Sequence, residues 1–246
     1  VVRGAGEKSS ERHLRYDLLS DLTLEDPRLK HPAIPYVLPM AVFLGILAIQ
    51  SYLAPLGSFE FPLRVLVLTG VLWFFSRHVI SFRCVRPLQS ILLGVAVCAM
   101  WVLPDQLFPG YRTHWLFSSV GTLNTSIDLN LLSNPMVLFF RTIRAAVLVP
   151  IIEELFWRAW MMRWLIKPEF ETVPLGAYSA QAFWIVAALF ASEHGAFWEV
   201  GLLCGVIYNW WMVKTKSLGD MILVHGVTNL CLSVFTVMTK QWQYWQ

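Results

Sequence analysis

The stretch MVLFFRTIRAAVLVPIIEELFWRAWMMRWL, residues 136–165, decides how the chain is read. It is mostly apolar and thirty residues long, more than the roughly 17–25 that cross a bilayer as a helix. Yet it holds Glu153, Glu154 and Arg158 between the apolar runs Val147–Ile152 and Leu155–Trp157. A carboxylate or guanidinium at the centre of a membrane helix costs roughly 2.5–3.5 kcal/mol, so groups retained there mark an active or transport site. Two more clusters interrupt apolar sequence downstream, Phe190-x-x-x-His194 and His225-x-x-x-Asn229.

Composition points the same way. The 246 residues are 57% hydrophobic and 14% charged, with a mean hydropathy of +0.56, too apolar for one soluble core of this size. Twelve Trp, sixteen Phe and seven Tyr suit the aromatic belts at membrane interfaces. The net charge of +3 is spread over short loops, with no basic stripe to track phosphates, which argues against nucleic acid as a partner. Cys84, Cys98, Cys204 and Cys231 are far apart and form no CxxC pair, as packed thiols would. Cys84, in the basic stretch 77–86 beside a membrane segment, is a secondary candidate for acylation.

Apolar spans fall near 35–55, 62–81, 87–104, 136–165, 178–195, 198–214 and 218–239. The predicted fold is therefore all-α, a polytopic membrane bundle of about seven to eight helices. The span at 136–165 is expected to tilt or to project from the hydrocarbon. A polar tail (1–32) precedes the membrane domain (33–246); it has six basic and six acidic residues and no apolar core of a signal peptide. The first apolar segment is thus expected to act as a signal anchor. Residues 105–134, with Pro109-Gly110, read as an extramembrane loop carrying an interfacial helix near 114–120 and a formal glycosylation sequon, Asn124-Thr125-Ser126. A cytoplasmic tail places thirteen Lys/Arg inside and five (Arg64, Arg112, Arg141, Arg144, Lys240) outside, predicting N-in and C-out.

Spacing suggests how the polar groups cooperate. Glu154 and Arg158 are four apart with the acid N-terminal, the favourable order for a helical pair. Glu153, turned by about 100° from its neighbour, lacks that counter-ion and is the candidate general base. His225 and Asn229 share a helix face and suit donation to one developing oxyanion. His194 precedes Gly195, where a helix can kink or end, and Glu193 reads as a solvated helix-end residue. Singly, each histidine reads better as a satisfied interior residue; with the acidic pair, on three helices, they define a site. Zinc on Glu153, His194 and His225 is the second choice to a metal-free site, because no His-Glu-x-x-His pair is present and Asn229 is a poor zinc ligand. No Gly-x-Ser-x-Gly elbow or glycine-rich phosphate loop competes.

The segments Glu-Glu-Leu-Phe-Trp-Arg (153–158), Phe-Ala-Ser-Glu-His (190–194) and His-Gly-Val-Thr-Asn (225–229) resemble, in order and spacing, the CPBP superfamily of intramembrane proteases. That superfamily includes the type II CAAX prenyl endopeptidases and bacteriocin-processing and immunity-type proteins. The resemblance spans about 137–240, and the membrane part is also similar to a bacterial subgroup of CAAX prenyl protease-related proteins associated with exosortase systems. It implies a glutamate-type hydrolase in which Glu153 activates water with the help of His194. His225 and Asn229 would stabilise the oxyanion, Glu154 and Arg158 orient the site, and Phe190 shape the pocket. The implied substrate is a prenylated or otherwise membrane-anchored protein, met in a bacterial inner membrane or a eukaryotic endomembrane. The competing readings are a proton-coupled transporter, disfavoured because the three polar clusters all lie after residue 150 without a matching first half, and a non-catalytic scaffold or immunity protein on the same fold.

Overall fold

A computed structural model describes residues 31–118, 128 and 130–245. The polar tail as far as residue 30 and the Asn124-Thr125-Ser126 sequon lie outside the described residues. Contacts divide the chain into residues 1–34 and 35–246. Within the first unit, Ile34 N–H donates to the His31 carbonyl at 3.0 Å.

The described residues are helical apart from turns and connections, with no strand among them. Seven apolar helical segments follow in order: α1 (Ile34–Ala48), α2 (Gln50–Ser76), α3 (Pro87–Leu107), α4 (Pro135–Trp164), α5 (Ala180–Ser192), α6 (Trp198–Thr215) and α7 (Leu218–Thr239). Five are long and apolar enough to cross a bilayer, α6 being counted from the turn at Gly195; α1 and α5, with 15 and 13 residues, are shorter. The chain is an integral membrane protein. Its large apolar side chains point outward at many positions, Leu66, Phe74 and Met238 among them, as lipid contact requires.

The helix limits follow from local chemistry. Asn134 caps α4 by accepting from Met136 N–H at 2.9 Å, and Pro135 occupies the first turn, where a missing N–H costs nothing. Ser179 and Ser217 cap α5 and α7. Asp220, in the first turn of α7, accepts from the Val85 and Arg86 amides and the Ser90 hydroxyl at 2.5, 2.9 and 2.8 Å, tying the α2–α3 connection to α7. The predicted interfacial helix at 114–120 is present as a single turn, Trp115–Ser118, among the described residues.

Two features differ from the predicted spans. The fifth, expected over 178–195, stops at Ser192, because the chain turns through Gly195 at φ 49° into the Gly195–Phe197 turn. Helix α4 is continuous over thirty residues but contains wider π-type turns at Arg144–Leu148 and Leu155–Met161. These bracket Glu153 and Glu154 on both sides, an arrangement found often at functional sites.

Helices α3 and α7 lie along each other, as do α5 and α6. The α3–α7 approach depends on Gly94, where an added Cβ would stand 2.7 Å from the Val224 carbonyl and 2.8 Å from Val227 Cβ. The closeness lets the Thr228 hydroxyl donate to the Gly94 carbonyl at 3.1 Å. Gly94→Val should push α3 off α7 at a cost of about 1–3 kcal/mol. A lower melting temperature of the purified protein in detergent, read by tryptophan fluorescence, is the expected result.

Candidate active site

The site is built around a carboxylate with no exposure at all. Glu154, on α4, faces the Arg158 guanidinium at 3.1 Å and His225 Nδ1 at 2.8 Å. Arg158 is equally buried; its Nε donates to Asn209 Oδ1 at 3.2 Å, and Asn209 in turn donates to the Phe183 carbonyl at 2.8 Å. Its cationic plane lies 4.5 Å from the Phe190 ring centre and 5.4 Å from that of Tyr208. One ion pair thus links α4, α5, α6 and α7.

Glu153 and Glu154 are neighbours in sequence but point to different surroundings. Glu153 Oε2 is buried, has no hydrogen-bond partner among the described residues, and lies 4.0 Å from His225 Nε2. The His225 ring presents Nδ1–H to the Glu154 carboxylate, so its Nε2 side is turned toward Glu153. Tyr208 packs beside this ring at 5.2 Å between centres and donates to Thr228 at 2.8 Å.

His194 comes from the early end of α5. At about 1.5 Å per residue, a 13-residue helix is about 20 Å long, about 10 Å short of crossing a roughly 30 Å hydrocarbon layer. This shortening is what lets His194 share a cavity with side chains of α4 and α7. Its Nδ1 is 2.7 Å from the Phe190 carbonyl, which can only accept, so Nδ1 carries the proton and Nε2 keeps its lone pair. Phe190 and Trp101 flank the ring at 4.8 and 5.2 Å, and Gly201 leaves room for it.

Glu153, His194, His225, Asn229 and Phe190 line one cavity of about 490 Å³, while Glu154 and Arg158 stand behind it. Asn229 donates one amide hydrogen to the Ala145 carbonyl at 2.9 Å, which orients the group and leaves its second N–H for another acceptor. Glu193, the C-cap residue of α5, is exposed and also lines this cavity. Among the described residues no three of His, Cys, Asp and Glu are grouped as metal ligands.

Sequence reasoning missed four residues of the site. Asn209 was detectable as a lone amide in the apolar run Val200–Val213. Tyr208 carried no such signal. Arg141 and Arg144, counted as outward loop charges, are buried and line the cavity instead.

The helices of a polytopic membrane bundle thus surround a buried acid, two histidines and an amide. Residues 135–231 match the type II CAAX prenyl endopeptidase Rce1-like family. That segment contains Glu153, Glu154, Arg158, Phe190, His194, His225 and Asn229, and its match supports an intramembrane protease of the CAAX type. No curated protein and no solved structure matches it.

Removing Arg158 would leave the fully buried Glu154 carboxylate short of its counter-ion, a loss of about 3–5 kcal/mol for a broken buried pair. Arg158→Met should therefore melt well below the wild type, whereas Glu153→Gln, at a side chain whose Oε2 has no hydrogen-bond partner among the described residues, should melt close to it. Fluorescence-detected unfolding in detergent separates the two.

Proposed function

We propose that the protein is a glutamate-type endopeptidase that hydrolyses a peptide bond of a lipidated or membrane-anchored protein within its membrane-embedded cavity. The observation that carries the reading is Glu153 Oε2, buried, without a hydrogen-bond partner among the described residues, and 4.0 Å from His225 Nε2 on the wall of that cavity.

The chemistry follows from the positions of the donors and acceptors. A water held between Glu153 and the Nε2 lone pair of His194 gives up a proton to the Glu153 carboxylate. Its oxygen then attacks the scissile carbonyl carbon. The resulting oxyanion accepts from the free N–H of Asn229 and from Nε2–H of His225, which donates there when the ring is protonated and Glu154 balances its charge. As the C–N bond breaks, the proton on Glu153 passes to the leaving amine nitrogen. Glu154, Arg158 and Asn209 touch no reacting atom; they hold the His225 ring in place. The reaction requires no metal, and the polar tail is assigned to the cytoplasmic side from the bias of Lys and Arg.

Glu153→Gln and His194→Ala should each lower the cleavage rate of the purified protein by about 10²–10⁴-fold, and Asn229→Ala by about 10²–10³-fold. EDTA should leave the rate unchanged; a loss that zinc restores would move the reading to a metallohydrolase. Full cleavage by Glu153→Gln would end the glutamate mechanism, and a cellular phenotype surviving that substitution would favour a scaffold.

A further inference from the structure

The connection from α2 to α3, residues 77–86, is bound to the start of α7. Ser217 Oγ donates to the Arg83 carbonyl at 2.9 Å, and Asp220 accepts from the Val85 and Arg86 amides. Gly219 permits this contact: an added Cβ would stand 2.5 Å from the Arg83 carbonyl oxygen and 2.7 Å from the Phe82 carbonyl carbon. Trp211 Nε1 of α6 donates to Ser90 Oγ of α3 at 3.1 Å, so the end of α6 belongs to the same junction. Arg83, Arg86, Lys214 and Lys216 are thereby gathered at one end of the bundle, and all four are exposed.

Their charge is not met by protein. Asp220 is the only acid within 77–86 and 214–220, and it is fully buried, taken up by the two amides and the Ser90 hydroxyl. The neighbouring connection 165–179 packs Gly176 against Lys216, but its Glu169 pairs with Lys167 at 3.6 Å, which leaves Glu171 as its other acid. Among the described residues no carboxylate pairs with any of the four cations; Lys214 lies instead over the exposed Trp210 ring, 4.8 Å from its centre. The carbonyl end of α6 accounts for a lysine in its last turn. It does not account for Arg83, nor for Arg86, which stands at the N-terminal end of α3, where a helix disfavours a cation.

Which anion fits follows from the neighbours. Phe82, Val85 and Leu88 recur at every third position, interleaved with Arg83 and Arg86, and all three are exposed. They lie at the ends of helices long enough to cross the bilayer, a level where apolar side chains meet acyl chains and cations meet phosphate. An acidic protein or a nucleic acid would bring no apolar surface to them. We propose that Arg83, Arg86, Lys214 and Lys216 form a docking face for one anionic phospholipid, its phosphate among the cations and its acyl chains against Phe82, Val85 and Leu88. The bound lipid bridges the α2–α3 connection and the end of α6, reinforcing the junction that Asp220 makes. None of these residues lines the active-site cavity, so the docking face stands apart from the peptidase reading.

The test is thermal unfolding of the purified full chain in dodecyl maltoside, with dioleoylphosphatidylglycerol, dioleoylphosphatidylcholine or inorganic phosphate added. A ligand that binds only the folded state raises the melting temperature. Phosphatidylglycerol should raise it by about 2–4 °C, and the other two should leave it unchanged. Arg83→Gln combined with Lys216→Gln should abolish the rise, whereas Lys240→Gln, at the opposite end of α7, should retain it. An equal rise with phosphatidylcholine, or no rise with either lipid, overturns the docking face on the unaltered protein, without any variant that must fold. An equal rise with inorganic phosphate alone assigns the cations to a free anion and also overturns it, as does a rise that survives the double substitution. None of these readings uses cleavage, so failure of the glutamate mechanism would leave them unchanged.

Discussion

Glu154 is the group on which the site depends. A carboxylate with no exposure, in a bundle surrounded by lipid, persists only if its charge is met and its oxygens are occupied. Arg158 supplies the charge and His225 a second donor, and Asn209 anchors Arg158 to the α5 backbone through Phe183. The same bonds that make the acid tolerable fix which His225 nitrogen faces the cavity. The stability requirement and the orientation of a reactive ring therefore have one structural cause.

Helix irregularity does the remaining positioning. The wider turns at Arg144–Leu148 and Leu155–Met161 separate the acidic pair from its flanks, so that the arginines and Glu153 face one cavity while Glu154 turns into the bundle. The early end of α5 brings His194 to the same depth. That end is held from outside the bundle by Arg112, nearly buried, which donates to the Ala196 carbonyl at 2.6 Å and pairs with Asp105 and Glu199, each at 2.8 Å. Its guanidinium also covers the Phe197 ring at 3.9 Å. Tyr244 joins Asp105 at 2.9 Å, and burial pushes its phenol up, so it remains a donor there. The turn carrying His194 is thus clamped by charges that take no part in the proposed chemistry.

The sequence carried the membrane class and the apolar spans, because hydrocarbon admits few polar side chains and each exception stands out. Glu153, Glu154, Arg158, His194, His225 and Asn229 were visible for that reason. The length of α5 was not, since the residues after Ser192 include Ala196, Phe197 and Trp198, apolar enough to continue a helix on composition alone. The π-type turns left no trace because side-chain spacing reports average periodicity, not a single extra residue per turn. Arg141 and Arg144 were misplaced for a related reason. Counting Lys and Arg assigns charges to the nearest helix end, yet an arginine can lie inside the bundle when a cavity or an aromatic face receives it.

The cavity reconciles two demands that ordinarily oppose each other. Hydrolysis needs water beside Glu153, while a lipid-borne substrate needs an apolar path to reach it. Phe43, Leu44 and Leu47 of α1 line one side, with Leu44 44% exposed, and Glu153, His194 and His225 line another. An apolar wall accepts an extended segment leaving the bilayer, and the polar wall holds water that the bilayer excludes. In the proposed mechanism the attacking water sits on that polar wall, beside the unpartnered Glu153 oxygen and the His194 lone pair.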